Sequence, residues 1–127
     1  MSEKDVKILI VDDEEHTRLG YAEVLRLEGY DVDVAENGRE ALRKLETTDF
    51  DVVVTDLRMP EMDGMALINS IRTLKKEQKI IIITAFGTFK TYKQAKDVGV
   101  TLFLNKPVRA KDLKEAVSQI LGDKGKC

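Results

Sequence analysis

An α/β fold built on a parallel sheet is what this chain predicts, on three observations. Five short apolar runs recur, a stretch with helical spacing follows each, and glycines stand at the joins. The runs Ile8-Leu9-Ile10-Val11 and Ile80-Ile81-Ile82-Ile83 are almost uninterrupted and rich in β-branched residues, as in strands buried on both faces. A sheet of that kind needs helices over both faces.

The predicted strands are Val6–Val11, Val32–Ala35, Val52–Thr55, Ile80–Thr84 and Leu102–Leu104. Between them the apolar residues change to a helical period. Tyr21, Val24 and Leu25 mark the first helix, and Ala41, Leu42 and Leu45 the second. Leu67, Ile71 and Leu74 mark the third, and Leu113, Ala116, Val117, Ile120 and Leu121 make the fuller stripe of the fifth. The fourth, Phe89, Tyr92, Ala95 and Val98, is the weakest, because its apolar residues drift around the axis. Gly29, Gly38, Gly64, Gly87 and Gly99 punctuate the joins.

With 127 residues and no linker, repeat or shift in composition, the chain reads as a single domain over 1–127, with no output domain. Hydrophobic residues at 43% and charged residues at 35% describe a soluble globular protein rather than a disordered one. A formal net charge of -2 gives no reason to expect direct contact with nucleic acid or an anionic membrane. The apolar runs are too short to span a bilayer. The charged start (Glu3, Lys4, Asp5, Lys7) carries no signal-peptide segment. A lone Cys127 excludes an internal disulfide and fits a reducing cytosol, so a cytoplasmic location is expected.

The chemistry sits where the strands end. The first strand runs into Asp12, Asp13, Glu14 and Glu15, the third ends at Asp56, the fourth at Thr84, and the fifth beside Asn105-Lys106-Pro107. Open α/β sheets bind ligands outside the carboxyl ends of their strands. Three carboxylates packed there would repel, raising the pKa of at least one unless a cation compensates. An oxygen-only cluster suits Mg²⁺, which keeps room for water and phosphate. Lys106 and Thr84 supply an ammonium and a hydroxyl suited to phosphate oxygens. Alone, each residue has a plainer reading: Asp13 caps a helix, Thr84 lines a turn, Lys106 is a solvated charge. Together, four strand ends deliver complementary groups to one place. His16, the only histidine, is expected on the surface of the first helix, and Met59 and Met62 as gap-fillers.

Four segments then carry a family resemblance over nearly the whole chain. They are Ile8-Leu9-Ile10-Val11-Asp12-Asp13-Glu14, Asp56-Leu57-Arg58-Met59-Pro60-Glu61-Met62-Asp63-Gly64, Ile83-Thr84-Ala85 and Lys106-Pro107. In this order the chain resembles the receiver domain of two-component response regulators. The resemblance implies a flavodoxin-like fold: five parallel strands in the order 2-1-3-4-5, doubly wound and flanked by five helices. It implies Asp56 as phosphoacceptor, and Mg²⁺ held by the Asp12/Asp13 pair, Asp56 and the backbone carbonyl of Arg58, with Asp13 the direct ligand. It implies Thr84 as the switch hydroxyl, Lys106 as the ammonium paired with the phosphoryl group, and Phe103 as the aromatic residue that moves with Thr84. A cis peptide before Pro107 is common in the family. Arg58 and Phe86 occupy positions that influence how readily water attacks the phosphoryl group. The implied partners are a sensor histidine kinase or histidine phosphotransfer protein upstream, and a downstream protein or a missing output domain. A homodimer through the face of the fourth helix, fifth strand and fifth helix is the further expectation.

The implied role is a signalling phosphoacceptor rather than an enzyme, one that promotes its own phosphorylation and dephosphorylation. Two rivals are weaker. A phosphatase of the haloacid-dehalogenase type also forms an aspartyl phosphate, but places its nucleophile in an Asp-x-Asp arrangement, whereas Asp12 and Asp13 are adjacent. A phosphorylation-independent interaction module on the same fold usually loses the acceptor or the lysine, and Asp56 and Lys106 both stand.

Overall fold

Period-two alternation within the strands decides the layering. In the computed structural model, which describes residues 6–58, 64–85, 87–100 and 102–122, the elements alternate strictly. They are β1 (Lys7–Val11), α1 (Glu15–Leu27), β2 (Asp31–Ala35), α2 (Gly38–Thr47), β3 (Val52–Thr55), α3 (Gly64–Leu74), β4 (Lys79–Thr84), α4 (Phe89–Asp97), β5 (Leu102–Asn105) and α5 (Ala110–Leu121). All four strand pairings are parallel and the order is β2-β1-β3-β4-β5, as expected.

Successive side chains of a strand point to opposite faces. Leu9, Val11, Val53, Ile80 and Ile82 therefore pack with Ala41, Leu45, Leu67, Ile68, Ile71 and Ala95, placing α2, α3 and α4 on one face. Ile8, Ile10, Val52, Val54, Ile81 and Ile83 meet Ala22, Leu25, Leu113, Ala116, Val117 and Leu121 of α1 and α5 on the other. Each fully buried Ile or Leu contributes roughly 1.5–3 kcal/mol. The central strands can be apolar throughout because neither of their faces meets water.

The helix ends follow local chemistry. Asn37 Oδ1 accepts the Glu40 N–H at 2.8 Å while Glu40 Oε1 accepts the Glu36 N–H at 2.7 Å, so α2 starts with its donors satisfied. Thr88 and Thr91 form a reciprocal capping box at the start of α4. Gly29 (φ 97°) and Gly99 (φ 91°) turn the chain after α1 and α4.

Three details differ from the sequence pattern. Glu14, not Asp13, caps α1, its side chain accepting the Thr17 N–H at 2.8 Å. Phe89 is 83% exposed at the first position of α4, whose one buried residue is Ala95, because a stripe that drifts around the axis cannot keep every member against the sheet. Leu74, in the last turn of α3, is also exposed.

Candidate functional site

Strand register brings the site together. Val11 pairs with Thr55 and Thr84 with Asn105, so the next residues of β1, β3 and β5 emerge side by side at the carboxyl edge. Backbone bonds extend this pairing past the strands. The Asp12 N–H donates to the Ala35 carbonyl at 3.2 Å, the Asp56 N–H to the Val11 carbonyl at 3.4 Å, and the Lys106 N–H to the Thr84 carbonyl at 3.1 Å. The Lys106–Pro107 peptide is cis.

The result is a shared ion pair. Lys106 Nζ lies 2.7 Å from Asp56 Oδ2 and 3.1 Å from Asp12 Oδ2. Both acids are buried, at 2% exposure for Asp12 and 6% for Asp56. Their other oxygens are held by backbone. Asp12 Oδ1 accepts the Glu14 N–H at 2.9 Å, and Asp56 Oδ1 the Arg58 N–H at 3.0 Å. Burial pushes the Asp12 carboxyl above the usual carboxylate range, against the opposing pull of the Glu14 N–H and of Lys106. Burial also works against the Lys106 ammonium, but its hydrogen bonds to Asp56 and Asp12 outweigh that and raise its pKa. Two buried carboxylates thus share one ammonium, which leaves the cluster with one more negative charge than positive when both acids are ionised.

The Asp56–Leu57 backbone is held close to the start of α3. The Gly64 N–H donates to the Leu57 carbonyl at 2.9 Å, and a Cβ on Gly64 would stand 2.5 Å from the Asp56 carbonyl oxygen and from Leu57 Cα. Only glycine fits there. Thr84 is buried at the end of β4, and Arg58 is exposed. Arg18 of α1 donates through Nη1 to the Asp12 carbonyl at 2.9 Å and steadies the β1–α1 turn. The pattern of apolar and charged positions did not reveal that contact, because an arginine on a helix surface reads as solvated charge.

Asp12, Asp56 and Lys106 are therefore brought into direct contact, with Thr84 on the adjoining strand end. Asp13 is exposed, and no group of three or more acidic, histidine or cysteine side chains is arranged around a metal position among the described residues. The three packed carboxylates expected from sequence are two buried acids and one exposed, because the turn that seats Asp12 under Lys106 and Glu14 N–H leaves Asp13 in solvent. His16 is exposed on α1, and Phe103 is half-buried on β5. Met59, Met62 and Phe86 lie outside the described residues. The site fits a hard divalent cation on its own chemistry: its donors are oxygens, and two carboxylates against one ammonium leave a negative charge that such an ion would offset.

A doubly wound parallel sheet thus carries a lysine-bridged acid pair at its carboxyl edge. The family model for the response regulator receiver domain matches residues 8–118, and the chain belongs to that family. It is 40% identical over 121 residues to the transcriptional regulatory protein GlrR of Escherichia coli (strain K12), an alignment covering 95% of this chain and 27% of that protein. It is 32% identical to sporulation initiation phosphotransferase F of Bacillus subtilis (strain 168), covering 91% of this chain and 93% of that one. Among solved structures it resembles the response regulator protein TrrA from Thermotoga maritima in complex with Mg²⁺–BeF. There the TM-score is 0.81 and the identity 36%, over 91% of this chain and 98% of that one. The chain thus spans about a quarter of the length of the transcriptional regulators it matches. No described helix is long and apolar enough to cross a membrane.

Proposed function

We propose that the chain accepts a phosphoryl group on Asp56, in a Mg²⁺-dependent reaction, and answers by changing the surface formed by α4, β5 and α5. The observation that carries this reading is the buried Asp56 carboxylate with each oxygen held: Oδ1 by the Arg58 N–H and Oδ2 by Lys106. An Asp56 oxygen attacks phosphorus in line, and the bond from phosphorus to the donor's nitrogen or oxygen breaks. Lys106 then pairs with a phosphoryl oxygen, and the Thr84 hydroxyl follows the same group.

Asp13, Asp56 and the Arg58 carbonyl would hold Mg²⁺, with Asp12 behind them. Bound there, the ion offsets negative charge on the phosphoryl oxygens. The donor we assign is a phosphohistidine on a sensor kinase or phosphotransfer protein. A groove of about 570 Å³ between α1 and α5 opens beside Lys106, lined by Tyr21, Val24, Pro107, Val108 and Leu113 among others, and offers that protein a mainly apolar seat. We assign residues 1–127 to one receiver domain in the cytoplasm, acting on a downstream protein or on an output domain. Lys90 and Lys93 on α4 and Glu115 on α5 are exposed and of opposite charge, which suits a homodimer through this face. Arg58 and Phe86 supply no base to activate water, so the phosphoryl group should outlast that of a fast-cycling receiver.

The test is a Mg²⁺ titration followed by phosphorylation with acetyl phosphate. Asp13→Ala should weaken Mg²⁺ binding and phosphorylation together, and Asp56→Asn should accept no phosphoryl group. Unchanged Mg²⁺ affinity in Asp13→Ala would remove the metal assignment.

A further inference from the structure

The strand end that presents Lys106 is tied to α4 by one side chain. Tyr92 of α4 donates its hydroxyl to Asn105 Oδ1 at 3.0 Å, and Asn105 immediately precedes Lys106. The Tyr92 ring also meets Phe103 of β5 edge-on, with centroids 5.0 Å apart and planes at 62°. On its third side the ring fills the space over Gly87, three residues after Thr84, where a Cβ would overlap the Tyr92 hydroxyl. Asn105 pairs with Thr84 across the sheet, and the Lys106 N–H donates to the Thr84 carbonyl. One phenol thus touches the loop that follows Thr84, the aromatic residue of β5 and the residue that leads into the site's ammonium.

We propose that Tyr92 is a positioning residue for Lys106, acting through Asn105, and that it couples phosphoryl acceptance at Asp56 to the placement of α4. The proposal rests on the phosphoacceptor reading above. Lys106 reaches its two acids through a flexible four-carbon stem, so the angle at which it arrives depends on how firmly its backbone is held. On one side the Thr84 carbonyl holds that backbone. On the other side the hold comes from Asn105, whose amide oxygen is fixed by the Tyr92 hydroxyl. Loosening that bond widens the range of ammonium positions and lowers the fraction aligned for transfer. The same bond carries strain the other way: a Lys106 drawn toward a phosphoryl group pulls on Asn105, and through Tyr92 on α4.

The experiment measures the rate of phosphorylation of the full chain by acetyl phosphate in saturating Mg²⁺, for the parent, Tyr92→Phe, Asn105→Leu and the double variant. Tyr92→Phe keeps the ring against Phe103 and removes only the hydroxyl. Each single variant should slow the reaction by about fivefold, the scale of one lost hydrogen bond, and the double variant no further. In a Lys106→Ala background, Tyr92→Phe should change nothing, a result that a merely structural role would not produce. Amide shifts of α4 on phosphorylation should shrink in Tyr92→Phe. A Tyr92→Phe rate equal to the parent's, effects that multiply in the double variant, or an undiminished effect without Lys106 would each overturn the proposal. A parent that takes no phosphoryl group would instead overturn the phosphoacceptor reading itself.

Discussion

The two ends of the sheet handle buried polarity in opposite ways. At the amino edge the buried Gln78 and the half-buried Arg72 meet neutral partners. Buried Gln78 donates through Nε2 to the Phe50 carbonyl at 2.9 Å, and Arg72 donates through Nη1 to the Gln78 carbonyl at 2.7 Å and through Nε to the Val98 carbonyl. Burial lowers the Arg72 pKa, yet no second buried charge competes with it among these contacts. At the carboxyl edge two buried carboxylates divide one ammonium, and burial raises the pKa of Asp12. These amino-edge contacts serve the fold. The carboxyl edge keeps an uncancelled charge, which costs stability.

That contrast breaks most severely at Lys106. Lys106→Ala leaves two buried acids without their cation, and should cost about 3 kcal/mol at neutral pH in urea unfolding, while the chain still folds. The raised Lys106 pKa fixes the alkaline side: its contribution is fully present below the ordinary value of 10.5 and is lost only as pH rises through the higher folded value. On the acid side the gap between parent and variant should narrow as Asp12 takes its proton. A gap that stays constant from pH 7 to pH 3 would show that Lys106 acts by packing rather than by charge.

Gly64→Ala tests the close approach behind Asp56. Its Cβ meets backbone rather than a flexible side chain, so the chain must shift at a cost of about 1–3 kcal/mol. Mg²⁺ affinity should fall too, because the strain lands on the Asp56–Leu57 peptide. At the amino edge, Gln78→Leu should cost about 1–3 kcal/mol by stripping the buried Phe50 carbonyl of its donor, and should leave Mg²⁺ affinity unchanged. If Gln78→Leu weakened Mg²⁺ binding, the two edges would not be independent.

The smallest effect has the opposite sign. A carboxyl whose pKa is raised by folding binds its proton more tightly when folded, so charged Asp12 costs stability above the carboxylate range, and falling pH relieves that cost. Asp12→Asn should therefore raise the melting temperature slightly at pH 7 without Mg²⁺, by an amount that shrinks on acidification. Added Mg²⁺ should stabilise the parent by mass action and this variant less.

Much of this organisation was legible in the chain itself. Ile8–Val11 and Ile80–Ile83 announce strands buried on both faces, and the acidic, hydroxyl and ammonium groups that follow the strands fall at one edge for any parallel sheet. The strand order came from the family resemblance, because nothing local to a strand says which neighbours it takes. What escaped depends on contacts between distant residues or on fine geometry. Glu14 takes the cap because its side chain reaches Thr17, a choice between adjacent acids that spacing does not make. Gly64 reads as a helix boundary until its distance to Asp56 is known. The Tyr92–Asn105 bond joins residues of separate elements with no motif to mark it.

The central claim is that Asp56 is the residue which takes the phosphoryl group. Its most direct test is to phosphorylate the purified chain with acetyl phosphate and Mg²⁺, trap the acyl phosphate by reduction, and map the label by peptide mass spectrometry. The label should fall on Asp56 alone, at one per chain, and should disappear in Asp56→Asn. A label on Asp12 or Asp13, or one that persists in Asp56→Asn, would contradict it.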